Sequence, residues 1–171
     1  ISTGITDSKF GFSISKGQAE QAVRRAIASP NLDIVGLHCH IGSQIFEIEP
    51  YQDAIRVTLE FASRMREVGL RMVEFSPGGG FGIAYTRDED PPSIAQYAEA
   101  IISTLVQACN DLDMEQPMMF IEPGRSLVGP AGVALYSVGA RKEIPGVRTY
   151  VSVDGGMSDN IRPALYEATY E

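Results

Sequence analysis

Ile34-Val35-Gly36-Leu37-His38-Cys39-His40-Ile41-Gly42-Ser43-Gln44 is an apolar run that breaks into imidazoles, a glycine and a hydroxyl. Two later stretches repeat the design. Met72 to Phe75 leads into Pro77-Gly78-Gly79-Gly80-Phe81-Gly82, and Met118 to Ile121 leads into Glu122-Pro123-Gly124-Arg125. Helix-like stretches separate the three. Short apolar strands alternating with helices predict a parallel sheet, and in a parallel α/β barrel the strand C-termini all open on the face that carries the chemistry. Two imidazoles, a glycine turn, a carboxylate and a guanidinium would then converge there, a combination suited to an anionic cofactor or substrate.

Periodicity extends this pattern in both directions. A strand over Phe10 to Ile14 precedes a helix from about Gly17 to Ala28, with Ala19, Val23, Ala26 and Ile27 on one face and Ser29-Pro30 as its stop. A second helix is expected from about Tyr51 to Val68, with Ala54, Val57, Phe61, Met65 and Val68 inward and Gly69 as the C-cap. A third runs from about Ser93 to Leu112. It opens on the capping-box form Ser93-Ile94-Ala95-Gln96 and carries Ile94, Tyr97, Ile101, Leu105 and Ala108 as its inner stripe. After Gly129-Pro130 the pattern changes. Val133 to Val138 and Val147 to Val153, around a turn at Ile144-Pro145-Gly146, predict antiparallel strands. The expected fold is α/β: part of a barrel over residues 1–130, then the start of an all-β C-terminal domain over 131–171. Four βα units are half of an eight-fold barrel.

Bulk properties narrow the function classes. A chain of 171 residues has room for one ordinary domain and a real core. Its formal charge of −8 argues against nucleic acid or an anionic membrane as the main partner. No apolar run approaches the roughly 20 residues of a membrane span. Cys39 and Cys109 form no CxxC pair and read as reduced thiols, which places the protein in the cytoplasm.

Each candidate site residue has a functional and a structural reading. His38 and His40, two apart on a strand, share one face, while Cys39 takes the other. No third ligand stands at a recognisable spacing, so no metal is expected; a hydrogen-bonded core histidine is the alternative to catalysis. Gly42-Ser43 offers flexible backbone and a hydroxyl suited to phosphate. Gly78-Gly79-Gly80 can present several N–H groups to one anion, or simply form a tight turn. Glu122 ends a strand where an unpaired carboxylate is costly, so Arg125 or a cationic ligand group is expected beside it. Arg162 and Tyr166, four residues apart, can form one surface for a carboxylate, as can many surface turns.

Taken together, these segments resemble the alanine-racemase-fold decarboxylases that use pyridoxal phosphate, known as group IV. The resemblance rests on Ile1-Ser2-Thr3-Gly4 with Lys9-Phe10-Gly11, the His38 to Gln44 run, the Gly78 to Gly80 loop, Glu122 to Arg125, and Asp154-Gly155-Gly156-Met157 with Arg162-Pro163-Ala164-Leu165-Tyr166. These lie in family order from end to end of the chain, and the ordered set is highly specific.

The resemblance implies pyridoxal 5'-phosphate as cofactor. His40 would stack on its ring, and Ser43, Gly78, Gly79 and Gly80 would meet its phosphate. Glu122, followed by Pro123 and Gly124, would hold the pyridine nitrogen protonated. Arg125 would lie between phosphate and substrate, and Arg162 and Tyr166 would bind the substrate's distal end. The implied reaction is decarboxylation of meso-diaminopimelate to L-lysine, because Arg162 suits a terminal carboxylate. Ornithine, arginine or carboxynorspermidine would be the alternative substrates, and a non-catalytic cofactor-binding piece the alternative to an enzyme. The implied assembly is a homodimer whose partner completes the site. Lys9, Lys16 and Lys142 do not match the family's Schiff-base Lys, and its Cys-Glu segment and a later Tyr are also unmatched. The chain is therefore expected to be the middle of a longer enzyme and inactive alone.

Overall fold

The computed structural model describes residues 9–170; the expected match at Ile1-Ser2-Thr3-Gly4 lies outside them. In chain order the elements are α1 (Gln18–Ile27), β1 (Gly36–His38), α2 (Glu49–Met65), β2 (Glu74–Ser76), α3 (Ile94–Asp111), β3 (Met118–Met119), α4 (Arg125–Val128), β4 (Val138–Ile144), β5 (Arg148–Val153) and α5 (Arg162–Tyr166). Strands β1, β2 and β3 form a parallel sheet in that order, with Leu37 beside Phe75 and Phe75 beside Met119. Two parallel bridges, Ile45 with Phe81 and Gly79 with Glu122, carry the pairing into the loops beyond the strands.

Local chemistry explains the long elements. Helix α3 starts on a complete capping box: Gln96 N donates to Ser93 Oγ, and Ser93 N donates to Gln96 Oε1. Helix α2 carries Pro50 in its first turn, where no backbone donor is needed. It runs through a 3₁₀ turn to Gly69, whose φ of 99° closes the end as a left-handed cap.

One face of the sheet is covered by helices and the other is open. Leu37, Phe75 and Met119 share the helix side, where Phe75 packs with Ile55 and Leu59 of α2 and Tyr97, Ile101 and Leu105 of α3. A second cluster joins Ala19 and Val23 of α1 to Phe61, Ala62 and Met65 of α2. Helix α2 thus serves two neighbours, so its buried stripe is wider than its expected one. Ile55 and Leu59 are fully buried, whereas Val57, expected inward, is 50% exposed. Ile94, expected on the inner stripe of α3, is also exposed.

Two expected strands differ. Phe10 to Ile14 is not a strand: Gly11 turns the chain at φ 64°, and Phe10 and Phe12 are exposed. The parallel sheet therefore has three strands among the described residues, not four. The antiparallel pair forms, but its first strand is Val138–Ile144 rather than Val133 to Val138. The turn sets that register: Gly146 has φ 72° and Val147 N donates to Ile144 O, so the residues just before Ile144 pair with Arg148 onward. No helix among the described residues is long and apolar enough to cross a membrane.

Candidate functional site

The C-terminal ends of the three parallel strands bring the three polar signatures together. Backbone contact does much of this. A Cβ on Gly79 would stand 2.0 Å from Glu122 O, and one on Gly80 would stand 2.2 Å from Gly42 O. Side chains there would force the loops after β1, β2 and β3 apart. Gly78 and Gly80 also hold φ of 79° and 90°, open to glycine at little cost. The glycine amides have partners in this conformation: Gly78 N donates to Ser76 Oγ at 3.1 Å and Gly79 N to His40 Nδ1 at 3.4 Å. The run is first a device for close approach of three loops.

Tyrosines from the helices fasten these loops. Tyr51 of α2 donates to Gly79 O at 3.0 Å, and Tyr97 of α3 donates to Ile45 O. Their rings pack with Phe81, Tyr51 stacked at 5.4 Å between centroids and Tyr97 tilted at 5.2 Å. Burial pushes the Tyr51 phenol well above its ordinary range, so it stays a donor at any physiological pH.

Two charged clusters lie beyond these strand ends. In the first, His38 and Glu122 meet across the sheet, with Nε2 3.1 Å from one carboxylate oxygen and 3.2 Å from the other. Of the two partners expected, Arg125 or a cationic ligand group, Arg125 lies elsewhere, bonded to Ser43 and Gln44, and His38 stands beside the carboxylate. Both side chains are about half exposed, so the pair orients the carboxylate more than it stabilises the fold. A groove of about 420 Å³ runs along this face past His38, Ser76, Phe120 and Glu122. Cys39 points the other way, as the strand alternation requires, and burial, only partly offset by a hydrogen bond with Thr58, pushes its thiol up.

The second cluster is cationic. Arg125, at the start of α4, donates to Gln44 Oε1 at 2.9 Å and to Ser43 Oγ at 3.0 Å. Gln44 is itself clamped to the backbone of Ile83 through both its amide nitrogen and its oxygen. The Arg125 guanidinium lies 5.6 Å from the Tyr85 ring centre, and Arg162, from α5, lies 4.8 Å from the same ring. Arg162 also donates to the Tyr170 hydroxyl. Tyr166 is on α5 with its side chain half exposed; Pro123 and Gly124 form the turn between Glu122 and Arg125, and Gly124 has open space where a Cβ would stand.

The structure thus brings His40, Ser43, Gly78 to Gly80, Glu122 and Arg125 to one end of the sheet, with Arg162 reaching it through Tyr85. Sequence reasoning missed Tyr85, Tyr170 and the role of Gln44. The signal for Gln44 was present, since it closes the His38 to Gln44 run. Tyr85 and Tyr170 meet only in space.

The donor set fits a phosphate-bearing cofactor. Arg125 and Ser43 present a guanidinium and a hydroxyl together. Ser126 Oγ, one residue beyond Arg125, is buried with no hydrogen-bond partner, alone in this among the described residues; such a group calls for an acceptor or donor from outside the chain. The half-exposed Glu122 carboxylate stands free to take a second, cationic partner.

A parallel α/β layer with a cationic cluster and a presented carboxylate at its strand ends defines a binding domain for an anionic cofactor. Comparison with known proteins makes this particular. Residues 1–129 match the pyridoxal-binding domain of the pyridoxal-dependent decarboxylases, and the chain belongs to that family. It is 48% identical to the diaminopimelate decarboxylase of Bacillus methanolicus over its whole length, which is 40% of that relative. The crystal structure of diaminopimelate decarboxylase from M. jannaschii in complex with L-lysine superposes with a TM-score of 0.90 at 39% identity, over 99% of this chain and 38% of that one. A lysine/ornithine decarboxylase from Vibrio vulnificus, in complex with cadaverine, gives a TM-score of 0.80 at 27% identity, over 98% of this chain and 43% of that one. The chain thus spans about 40% of the length of the curated relatives it matches.

Proposed function

We propose that this chain is the cofactor-binding and substrate-recognising part of an enzyme that decarboxylates meso-diaminopimelate to L-lysine and carbon dioxide. The observation that carries the reading is the convergence of two guanidiniums from distant segments, Arg125 and Arg162, on the one Tyr85 ring. When bound, pyridoxal phosphate supplies the electron sink that accepts the pair left as carbon dioxide departs. The chain's residues would do the rest. Arg125 and Ser43 would hold the phosphate, with Gly78, Gly79 and Gly80 allowing its close approach and Pro123 and Gly124 setting the turn beside it. His40 would lie against the ring, and Glu122, oriented by His38, would keep a proton on the pyridine nitrogen. Arg162 and Tyr166 would receive the substrate's distal carboxylate.

The same reading divides the chain at residues 130 and 131. The first part is a portion of a cofactor-binding barrel whose interior is the open sheet face, and the second is the start of an all-β domain. The exposed mouth of the site suits completion by a second copy in a homodimer. Two free thiols, Cys39 and Cys109, suit the reducing cytoplasm.

The test is steady-state kinetics of the intact enzyme with meso-diaminopimelate and with ornithine. Arg162→Ala is expected to lower kcat/KM for diaminopimelate by roughly 30-fold or more, the size of a desolvated charge-assisted contact, while cofactor occupancy holds. Arg162→Lys restores part of the loss, since an ammonium lacks the planar fork. An unchanged diaminopimelate-to-ornithine ratio in Arg162→Ala would remove the substrate assignment and leave a decarboxylase of another basic amino acid.

A further inference from the structure

Tyr85 lies in the loop after β2, and three independent features converge on it. Its base is fixed: the backbone amides of Tyr85 and Thr86 both donate to Glu89 Oε2, at 2.6 and 3.2 Å, so a carboxylate closes the turn that presents the ring. Its ring stands 5.6 Å from the Arg125 guanidinium, itself held by Ser43 and Gln44. The same ring stands 4.8 Å from Arg162, and it meets Tyr170 edge-on at 5.1 Å and 76°. Arg162 therefore occupies a notch between two aromatic rings, 5.5 Å from the Tyr170 centroid.

We propose that Tyr85 is a positioning residue for substrate recognition: its ring holds the Arg162 guanidinium at a set place relative to the Arg125 anion site, so that a distal carboxylate finds its partner pre-oriented. The inference rests on the reading of Arg162 given above. Helix α5 buries none of its residues, so helix packing does not hold Arg162 in place. The negative face of an aromatic ring attracts a guanidinium and limits its rotamers, which removes part of the ordering cost when an anion binds. Two cations around one ring also repel each other, and an anion arriving beside Arg162 relieves that repulsion. Arg125 depends on the ring less, because Ser43 and Gln44 already hold it.

The test uses the full-length holoenzyme, with L-lysine affinity by calorimetry, cofactor affinity by absorbance titration, and kinetics with meso-diaminopimelate. Tyr85→Leu is expected to weaken lysine binding and raise KM about tenfold, the effect falling in KM rather than kcat, with cofactor affinity changed less than about threefold. Tyr85→Phe rescues most of the loss, because the contacts run through the ring. Pentafluorophenylalanine at position 85 keeps the size but reverses the charge of the ring face, and it loses lysine affinity as Leu does. This pair decides the matter even if Tyr85→Leu does not fold. Equal lysine affinity for the phenylalanine and pentafluorophenylalanine forms overturns the proposal, as does a parallel fall in cofactor affinity. Arg162→Ala is measured alongside. If it weakens lysine binding while the Tyr85 series does not, Tyr85 has no positioning role and the reading of Arg162 stands; if it leaves lysine binding unchanged, both fall.

Discussion

Ile55 and Leu59 of α2 are fully enclosed by the sheet and α3, whereas every residue of the β4–β5 hairpin is exposed. The two regions are held by different forces. In the α/β layer, apolar burial fixes helices and strands first, and buried tyrosines then fasten the loops that bear the site. In the hairpin, a tight turn and one antiparallel ladder set the shape with no core beneath, a state of marginal stability in water by itself. Val138, Tyr150, Val151 and Val153 all stand open to solvent. Glu122 and Arg125 are mounted on the first region, at the ends of its parallel strands. The chain beyond the hairpin approaches that region through Arg162, whose guanidinium lies 4.8 Å from the Tyr85 ring.

The largest expected effect breaks the first region at its tightest point. In Gly79→Val the new Cβ would meet the Glu122 carbonyl oxygen at 2.0 Å, and the obstacle is backbone that no rotamer change can move. The loops after β2 and β3 must part, taking Glu122 and Arg125 out of register. The intact enzyme carrying this change is expected to bind almost no cofactor, as read by absorbance. Normal occupancy would count against placing the glycine run at the cofactor's phosphate.

Glu122→Gln spares the architecture and removes only a charge. The amide can still bond His38, so the fold and much of the cofactor binding are expected to survive. A neutral group cannot hold a proton on the pyridine nitrogen, and turnover is expected to fall by roughly 100-fold or more. A rate near that of the unmodified enzyme at saturating cofactor would remove this role from Glu122.

The contrast between regions also sorts what the sequence made legible. Helices α2 and α3 were readable because 3.6-residue periodicity, the Ser93 capping box and Gly69 are local signals. So were the three polar signatures, because a parallel layer places all strand ends on one side. The pairing of His38 with Glu122 was not, since it depends on strand order. Nor was the burial of Ile55 over Val57, which follows from α2 lying between two partners. The first hairpin strand was placed too early because Gly139, Ala140, Arg141, Lys142 and Glu143 are weak strand formers and only the turn at Gly146 selects them. Tyr85 carried no motif, and its meaning arises where Arg125 and Arg162 meet.

The smallest effect sharpens the comparison most. In the 171-residue chain, Leu59→Ala opens a cavity in a filled core and is expected to cost about 2–5 kcal/mol by chemical denaturation. Val151→Thr places a hydroxyl on a side chain already 52% exposed, and it is expected to cost less than about 0.5 kcal/mol. Repeating both in the intact enzyme separates the regions. The α/β core is already closed around Leu59, so its cost should hold. If residues 131–171 begin a β-domain, added chain covers the hairpin, and a buried hydroxyl without a partner then costs about 1–3 kcal/mol. A rise at Val151 with no change at Leu59 is therefore the expected outcome. No rise at Val151 would leave the hairpin an uncovered arm and move the proposed domain boundary away from residue 130.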